Sequence, residues 1–316
     1  MTSAFPAVSS SREAHFRECE TFLKIGGVSI ELYSNGGVKF APGESLRKFE
    51  VDSVLSAIDI RILRNPAIRS TSGKLIFDSG SVWRLFQDEI GLRFDFFSPM
   101  LGSDPYRRLR IDDQYSRASL ELSGRCAPYG EFVPDALEYP LDELLIMHRL
   151  TQERAIELHG TGIMRGNGVA NLFVGHSGAG KSTTTRLWTS REEVEVLSDD
   201  RIIVRYDDGR DGPAGPTQTR MYGTPWHGEA MFASPNSAPL TRIFVLEHGR
   251  GNVITRLSPS EAIGELFARA FVPFHRHEYI ENALSFLEEL VSAVPCYRYT
   301  FEPDERAVEK IQQFHD

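Results

Sequence analysis

Val169-Ala170-Asn171-Leu172-Phe173-Val174 runs straight into Gly175-His176-Ser177-Gly178-Ala179-Gly180-Lys181-Ser182. The first six residues read as a buried strand, and the next eight fit the spacing GxxxxGK[ST] of a phosphate-binding loop. In such a loop successive backbone N–H groups turn inward and cradle phosphate oxygens. That demands glycines, because side chains would block the approach. Lys181 then places a point charge on the β- and γ-phosphates, and the Ser182 hydroxyl is a ligand for Mg²⁺. Ser182 and Thr183 open a helix expected over 182–188, whose positive N-terminal end faces the same phosphates.

Downstream, an apolar strand over 194–197 ends in Asp199-Asp200. Open α/β sheets bind ligands at the carboxyl ends of their strands. A nucleotide site needs one acid for Mg²⁺, directly or through water, and an enzyme that phosphorylates a hydroxyl uses another as base. Further strands are expected over 202–206 and 243–246. The run Ser258-Pro259-Ser260-Glu261 has the spacing of a capping box, and it opens a helix with Ile263, Leu266, Phe267 and Ala270 on its apolar face. A helix over 278–293, a strand over 296–301 and a helix over 304–314 follow. His275 and His277, near Pro273, have the look of a metal pair, but beside a helix start they are expected to face solvent.

Upstream the grammar is different. From residue 21 to about 122 short alternating runs, such as Val28-Ser29-Ile30-Glu31-Leu32-Tyr33 and Leu92-Arg93-Phe94-Asp95-Phe96, are cut by Gly, Asn, Ser and Asp. That is the pattern of half-buried antiparallel strands, with Trp83, Phe86, Phe94 and Phe96 expected in the core. A Pro-rich stretch over 127–140 separates this region from a helix over 141–152. The reading is two domains: a β-rich one over 1–138, in which no chemistry is legible, and an α/β nucleotide-binding one over 139–316.

Composition narrows the partners. The chain has 316 residues and a net charge of −9, long enough for two cores and too acidic to track a nucleic-acid backbone. Its three cysteines, Cys19, Cys126 and Cys296, are far apart and form neither a disulfide framework nor a zinc site. Residues 1–15 lack the apolar core of a signal peptide, and no apolar run reaches membrane-spanning length, so a cytoplasmic protein without nucleic-acid or membrane partners is expected.

Leu158-His159-Gly160, the loop 175–182 and Ser198-Asp199-Asp200-Arg201 together resemble the catalytic domain of the bacterial HPr kinase/phosphorylase family, a fold related to phosphoenolpyruvate carboxykinase. The resemblance implies that Lys181 binds phosphates, Ser182 and Asp199 serve Mg²⁺, and Asp200 takes the proton from the acceptor hydroxyl. It also implies an auxiliary catalytic role for His159 beside the phosphates. Two departures stand out: the family carries Glu where this chain has Thr183, and its glycine-rich phosphorolysis signature is replaced by Tyr222-Gly223-Thr224-Pro225-Trp226-His227-Gly228-Glu229. HPr as substrate and the reverse, phosphorolytic activity are therefore not carried over.

Trp226, His227 and Glu229 are expected on the acceptor side, on a loop to which Gly223 and Gly228 lend hinge-like freedom. The expected activity is transfer of the ATP γ-phosphoryl group, with Mg²⁺, to a hydroxyl of a peptide, a protein, a sugar or another small alcohol. A nucleotide-binding regulatory ATPase is the alternative, and a carboxykinase-like enzyme recruiting Arg220 and His227 a more distant one. The oligomeric state is left open.

Overall fold

The structure is a computed structural model that describes residues 19–35, 38–55, 58–88, 91–126, 132–191, 193–207 and 218–315. Residues 1–15, read above for a signal peptide, and 127–131 of the Pro-rich stretch lie outside the described residues. The protein is mixed α/β and rich in strands, with two large mixed sheets among the described residues. It divides into two compact units, one of Val28–Leu145 with the residues up to Lys24, the other of Ile25–Gly27 and Ile146–Asp316. The division falls inside the helix Leu141–Leu150.

The first unit is built on a nine-stranded sheet. Its central order runs Val28–Ser34, Ile58–Asn65, Arg117–Ser123, Arg107–Ile111, Gly91–Phe96, Trp83–Asp88, with Lys74–Asp78 at one edge. The expected antiparallel pattern holds only in part, because Ile58–Asn65 pairs parallel with both of its neighbours. Ile60, Ile62, Leu120, Leu109 and Phe94 line the apolar face and are at most 1% exposed. Gly91–Phe96 is buried on both faces rather than one. Its second face carries Arg93 and Asp95, and Arg108 on the next strand grips Asp95 with two hydrogen bonds, of 2.5 and 2.8 Å. Arg93 donates from its two terminal nitrogens to the carbonyls of Ser72 and Thr71, so the chain that covers this buried guanidinium also bonds it. Phe94 and Phe96 are core residues as expected, but Trp83 and Phe86 are only partly buried. Leu85 takes the inward position on that strand, and Phe86, on the opposite face, carries the Arg93 guanidinium 4.4 Å above its ring.

The second unit holds a ten-stranded sheet organised by one long strand, Ala155–Arg165. On one side its first half pairs with Arg201–Asp207 and its second half with Val194–Ser198. On the other side the first half meets Ala270–Phe271 and the second half Ala170–Val174. Both changes of partner occur at 159–162, so the sheet splays there from both sides. Gly160 lies opposite Val174, where a Cβ would come within 2.9 Å of the Phe173 carbonyl oxygen. A close backbone approach thus requires the glycine. Beyond Ala170–Val174 the sheet continues in parallel through Arg242–His248 and Cys296–Phe301.

The helix Lys181–Thr189 is clamped by Trp188, fully buried among Ile163, Phe173, Phe244, Tyr299 and Phe301. The capping box at Ser258 is formed as read, with Ser258 accepting from the Glu261 N–H and Glu261 from the Ser258 N–H. Among the described residues no helix is long and apolar enough to cross a membrane.

Candidate active site

The splay at 159–162 faces two chain reversals toward each other. Val174 ends on one flank and releases the glycine loop; Ser198 ends on the other and releases Asp199-Asp200. Between them lies an open cleft of about 370 Å³ whose walls include His159, Lys181, Ser182, Asp200, Glu229 and His248. Ser177, Gly178, Gly180, Thr183 and Asp199 also border it.

The loop has the backbone its sequence requires. Gly178 and Gly180 adopt φ of +81° and +97°, a region that L side chains rarely enter. Gly175 is needed for space, since a Cβ there would lie 2.7 Å from the Ala179 methyl. His176 and Ser177 are exposed at the tip. Gly180 leads into the helix without a capping side chain, leaving first-turn N–H groups for a ligand. Lys181 is buried and folded back, donating to the carbonyls of Gly175 (3.0 Å) and His176 (3.3 Å). Burial, together with the charges of Arg201 and Arg269, holds its ammonium below the usual lysine range despite the opposing pull of Asp200.

The two aspartates have separate surroundings. Asp199 is 2% exposed, and its carboxylate accepts three backbone N–H groups, from Gly228 (3.0 Å), Ala230 (2.8 Å) and Phe232 (3.2 Å). Of about four lone-pair positions on a carboxylate, three are taken. Asp200 faces the cleft instead, with Oδ1 3.0 Å from His159 Nε2 and Oδ2 accepting from Arg201. Burial pushes the Asp200 carboxyl up, but the His159 hydrogen bond and the charges of Arg201, His159 and Lys181 together leave it below the usual carboxylate range. Arg201 is itself held, with Nε 3.5 Å from the fully buried Glu157 and its guanidinium 4.0 Å above the Phe271 ring.

The turn between them is pinned from every side. Ser198 Oγ accepts from the N–H groups of Asp200 and Arg201 and donates to the Trp226 carbonyl. Gly160 N–H donates to the Asp200 carbonyl, and the Thr161 hydroxyl to that of Asp199.

Of the expected acceptor-side residues, Glu229 alone borders the cleft. Trp226 is 8% exposed and offers no contact surface. Its burial follows from the loop's attachment: Gly223 passes so close to the chain that a Cβ would sit 2.1 Å from the Ser234 carbonyl oxygen and 2.5 Å from that of Leu197. Gly223 is therefore a steric necessity and not a hinge. His227 is exposed, with Nδ1 3.1 Å from the Gly228 carbonyl oxygen. Arg220 is engaged with Ser237.

His277 is exposed as expected, whereas His275 is not a solvent-facing residue. Its ring packs 5.3 Å from that of His148 and 5.4 Å from Tyr279. Burial, with help from the Arg276 charge, pushes its pKa down to about 4.

Among the described residues no three or more His, Cys, Asp and Glu side chains converge as a metal site. Mg²⁺ does not demand one, because it keeps several waters and takes phosphate oxygens beside one or two protein groups. The Ser182 hydroxyl and the last lone pair of Asp199 fit that donor set. Arg201, Ser198, Glu157 and Phe271 belong to the site without having been assigned a part in it from sequence. Ser198 and Arg201 flank the paired aspartates and could have been found by asking what pins that turn. No protein-family model matches the chain, and no curated protein sequence matches it.

Proposed function

We propose that the second unit is an ATP- and Mg²⁺-dependent phosphotransferase acting on a hydroxyl, with a nucleotide domain of the HPr kinase type. The observation that carries this reading is the convergence on one cleft of the phosphate loop, Lys181 and the Asp200–His159 pair. The loop N–H groups and Lys181 take the β- and γ-phosphates. Leaving the Gly175 and His176 carbonyls costs Lys181 two hydrogen bonds, which the phosphate oxygens replace.

The acceptor oxygen attacks the γ-phosphorus as the bond to the β–γ bridging oxygen breaks. Its proton passes to Asp200, and ADP leaves. An Asp200 held below the usual range is ionised at neutral pH and free to accept that proton. His159, on Oδ1, fixes the carboxylate's orientation. Bound Mg²⁺ would neutralise charge on the transferring phosphates, and the Ser182 hydroxyl and the last lone pair of Asp199 would hold it. Since little covalent chemistry falls to the protein, positioning and charge do most of the catalysis.

The test is transfer of label from γ-labelled ATP, with Mg²⁺, to a panel of hydroxyl-bearing peptides, polyols and sugars. Acceptor-dependent labelling that disappears in Lys181→Ala is the expected result. Slow release of phosphate with no labelled acceptor, at a rate unchanged in Asp200→Asn, would instead identify a regulatory ATPase.

A further inference from the structure

We propose that His248 is a positioning residue of the nucleotide site, which holds the phosphate loop open from outside. The proposal rests on reading 175–182 as a nucleotide loop, and it concerns a residue with no sequence link to that loop. Loop carbonyls that no helix or strand pairs each need a donor from elsewhere. Two of those carbonyls have one: Gly175 O and His176 O are met by Lys181. A third, Gly178 O, is met by His248 Nε2 at 2.7 Å, across 70 residues of sequence. Because a carbonyl only accepts, Nε2 is the protonated nitrogen in this contact.

The imidazole is itself fixed. His248 ends the strand Arg242–His248 in register with Phe301, and its ring stacks on the Phe301 ring at 5.6 Å and 29°. Phe301 is buried and stands under the loop at Gly180, where a Cβ would come within 2.6 Å of its ring and 3.1 Å of His248. Gly178, by contrast, has nothing within 4 Å of its Cβ position, so no packing restrains it from its side-chain direction. Gly178 holds φ +81° without packing around its Cβ position, and His248 ties its carbonyl to the end of the strand Arg242–His248. Holding the loop in advance spares ligand binding the cost of ordering it. The imidazole also borders the cleft, on the loop side.

The experiment is calorimetric titration of the full chain with MgADP, joined to hydrogen exchange of residues 175–180 without nucleotide. His248→Phe keeps a ring over Phe301 and loses the donor; His248→Gln keeps a donor. The expected outcome for His248→Phe is three- to tenfold weaker MgADP binding, about the value of one hydrogen bond, with faster exchange in the loop and an unchanged melting temperature. His248→Gln should recover most of both losses. Binding and exchange in His248→Phe equal to the parent's, or a Gln variant as impaired as the Phe variant, overturns the proposal. A parent chain that does not bind MgADP at all, or binds it no better than Lys181→Ala, rejects the nucleotide reading itself, and that result is distinct from the other two.

Discussion

Two glycine-bearing loops border the cleft, and their glycines do opposite things. In the loop 175–182 Gly178 and Gly180 hold left-handed conformations, and Gly178 has open space at its Cβ position. In the loop 222–236 Gly223 has no left-handed angle and is hemmed in by two carbonyl oxygens. The first loop uses glycine for conformation, the second for contact. The second is further stapled by its bonds to 197–199: Ser234 N–H to the Leu197 carbonyl, Ser198 to the Trp226 carbonyl, and three N–H groups to Asp199. Glycine content alone would have made both loops mobile; what surrounds each glycine separates the open loop 175–182 from a fixed wall.

The contrast can be broken most sharply at the paired aspartates. Asp200→Asn removes the cleft-facing carboxylate proposed as base and should lower transfer by about 10²–10⁴-fold, while leaving MgATP affinity within about threefold. Single-turnover transfer alongside calorimetry checks this, and equal loss of binding and transfer would contradict it.

Next in size is Gly223→Ala, expected to cost about 3 kcal/mol because the clash is with fixed backbone oxygens. Gly178→Ala meets only the left-handed strain, about 1 kcal/mol, and should weaken nucleotide binding more than stability. Chemical denaturation of both variants orders them; Gly178→Ala as the more destabilised one would reverse the comparison.

Between those two in stability falls Asp199→Asn, where one acceptor oxygen becomes a donor facing N–H groups, at a cost of about 2 kcal/mol. It should lower the melting temperature and raise the Mg²⁺ requirement together, while Asp200→Asn does neither. A variant with normal stability would mean that the staple is dispensable.

What the sequence disclosed was local. The strand before Gly175, the helix from Lys181, the Asp199-Asp200 turn and the Ser258 capping box each rest on residues within a few positions of one another. What it hid depends on distant partners. Nothing near Ile58 announces parallel pairing on both sides. Arg93 and Asp95 look like a solvated face until 69–72 is seen to cover them. Trp226 in a Gly-Pro-rich turn looks displayed, and its burial is visible only once Ser198 is placed against its carbonyl. Of the site, the charged groups were legible and the resemblance implied a part for each of Asp199 and Asp200; what the sequence did not disclose is what folds against them, three backbone N–H groups on Asp199 and His159 with Arg201 on Asp200.

The His148–His275 contact ties the second unit to acidity. A histidine whose pKa is about 4 when folded and near 6.5 when unfolded binds its proton more readily in the unfolded chain. The stability it contributes is complete above about pH 6.5 and drains away as the pH falls toward 4. Around it stand His148, Tyr279 and Arg276, none of them an acid that could welcome the new charge. Melting followed from pH 7 to pH 4.5 should therefore fall more steeply in the parent than in His275→Asn, and parallel curves would show that this imidazole has no part in acid unfolding. If the slopes differ, mild acidification becomes a way to loosen the packing of His275 against His148 and Tyr279 within the second unit.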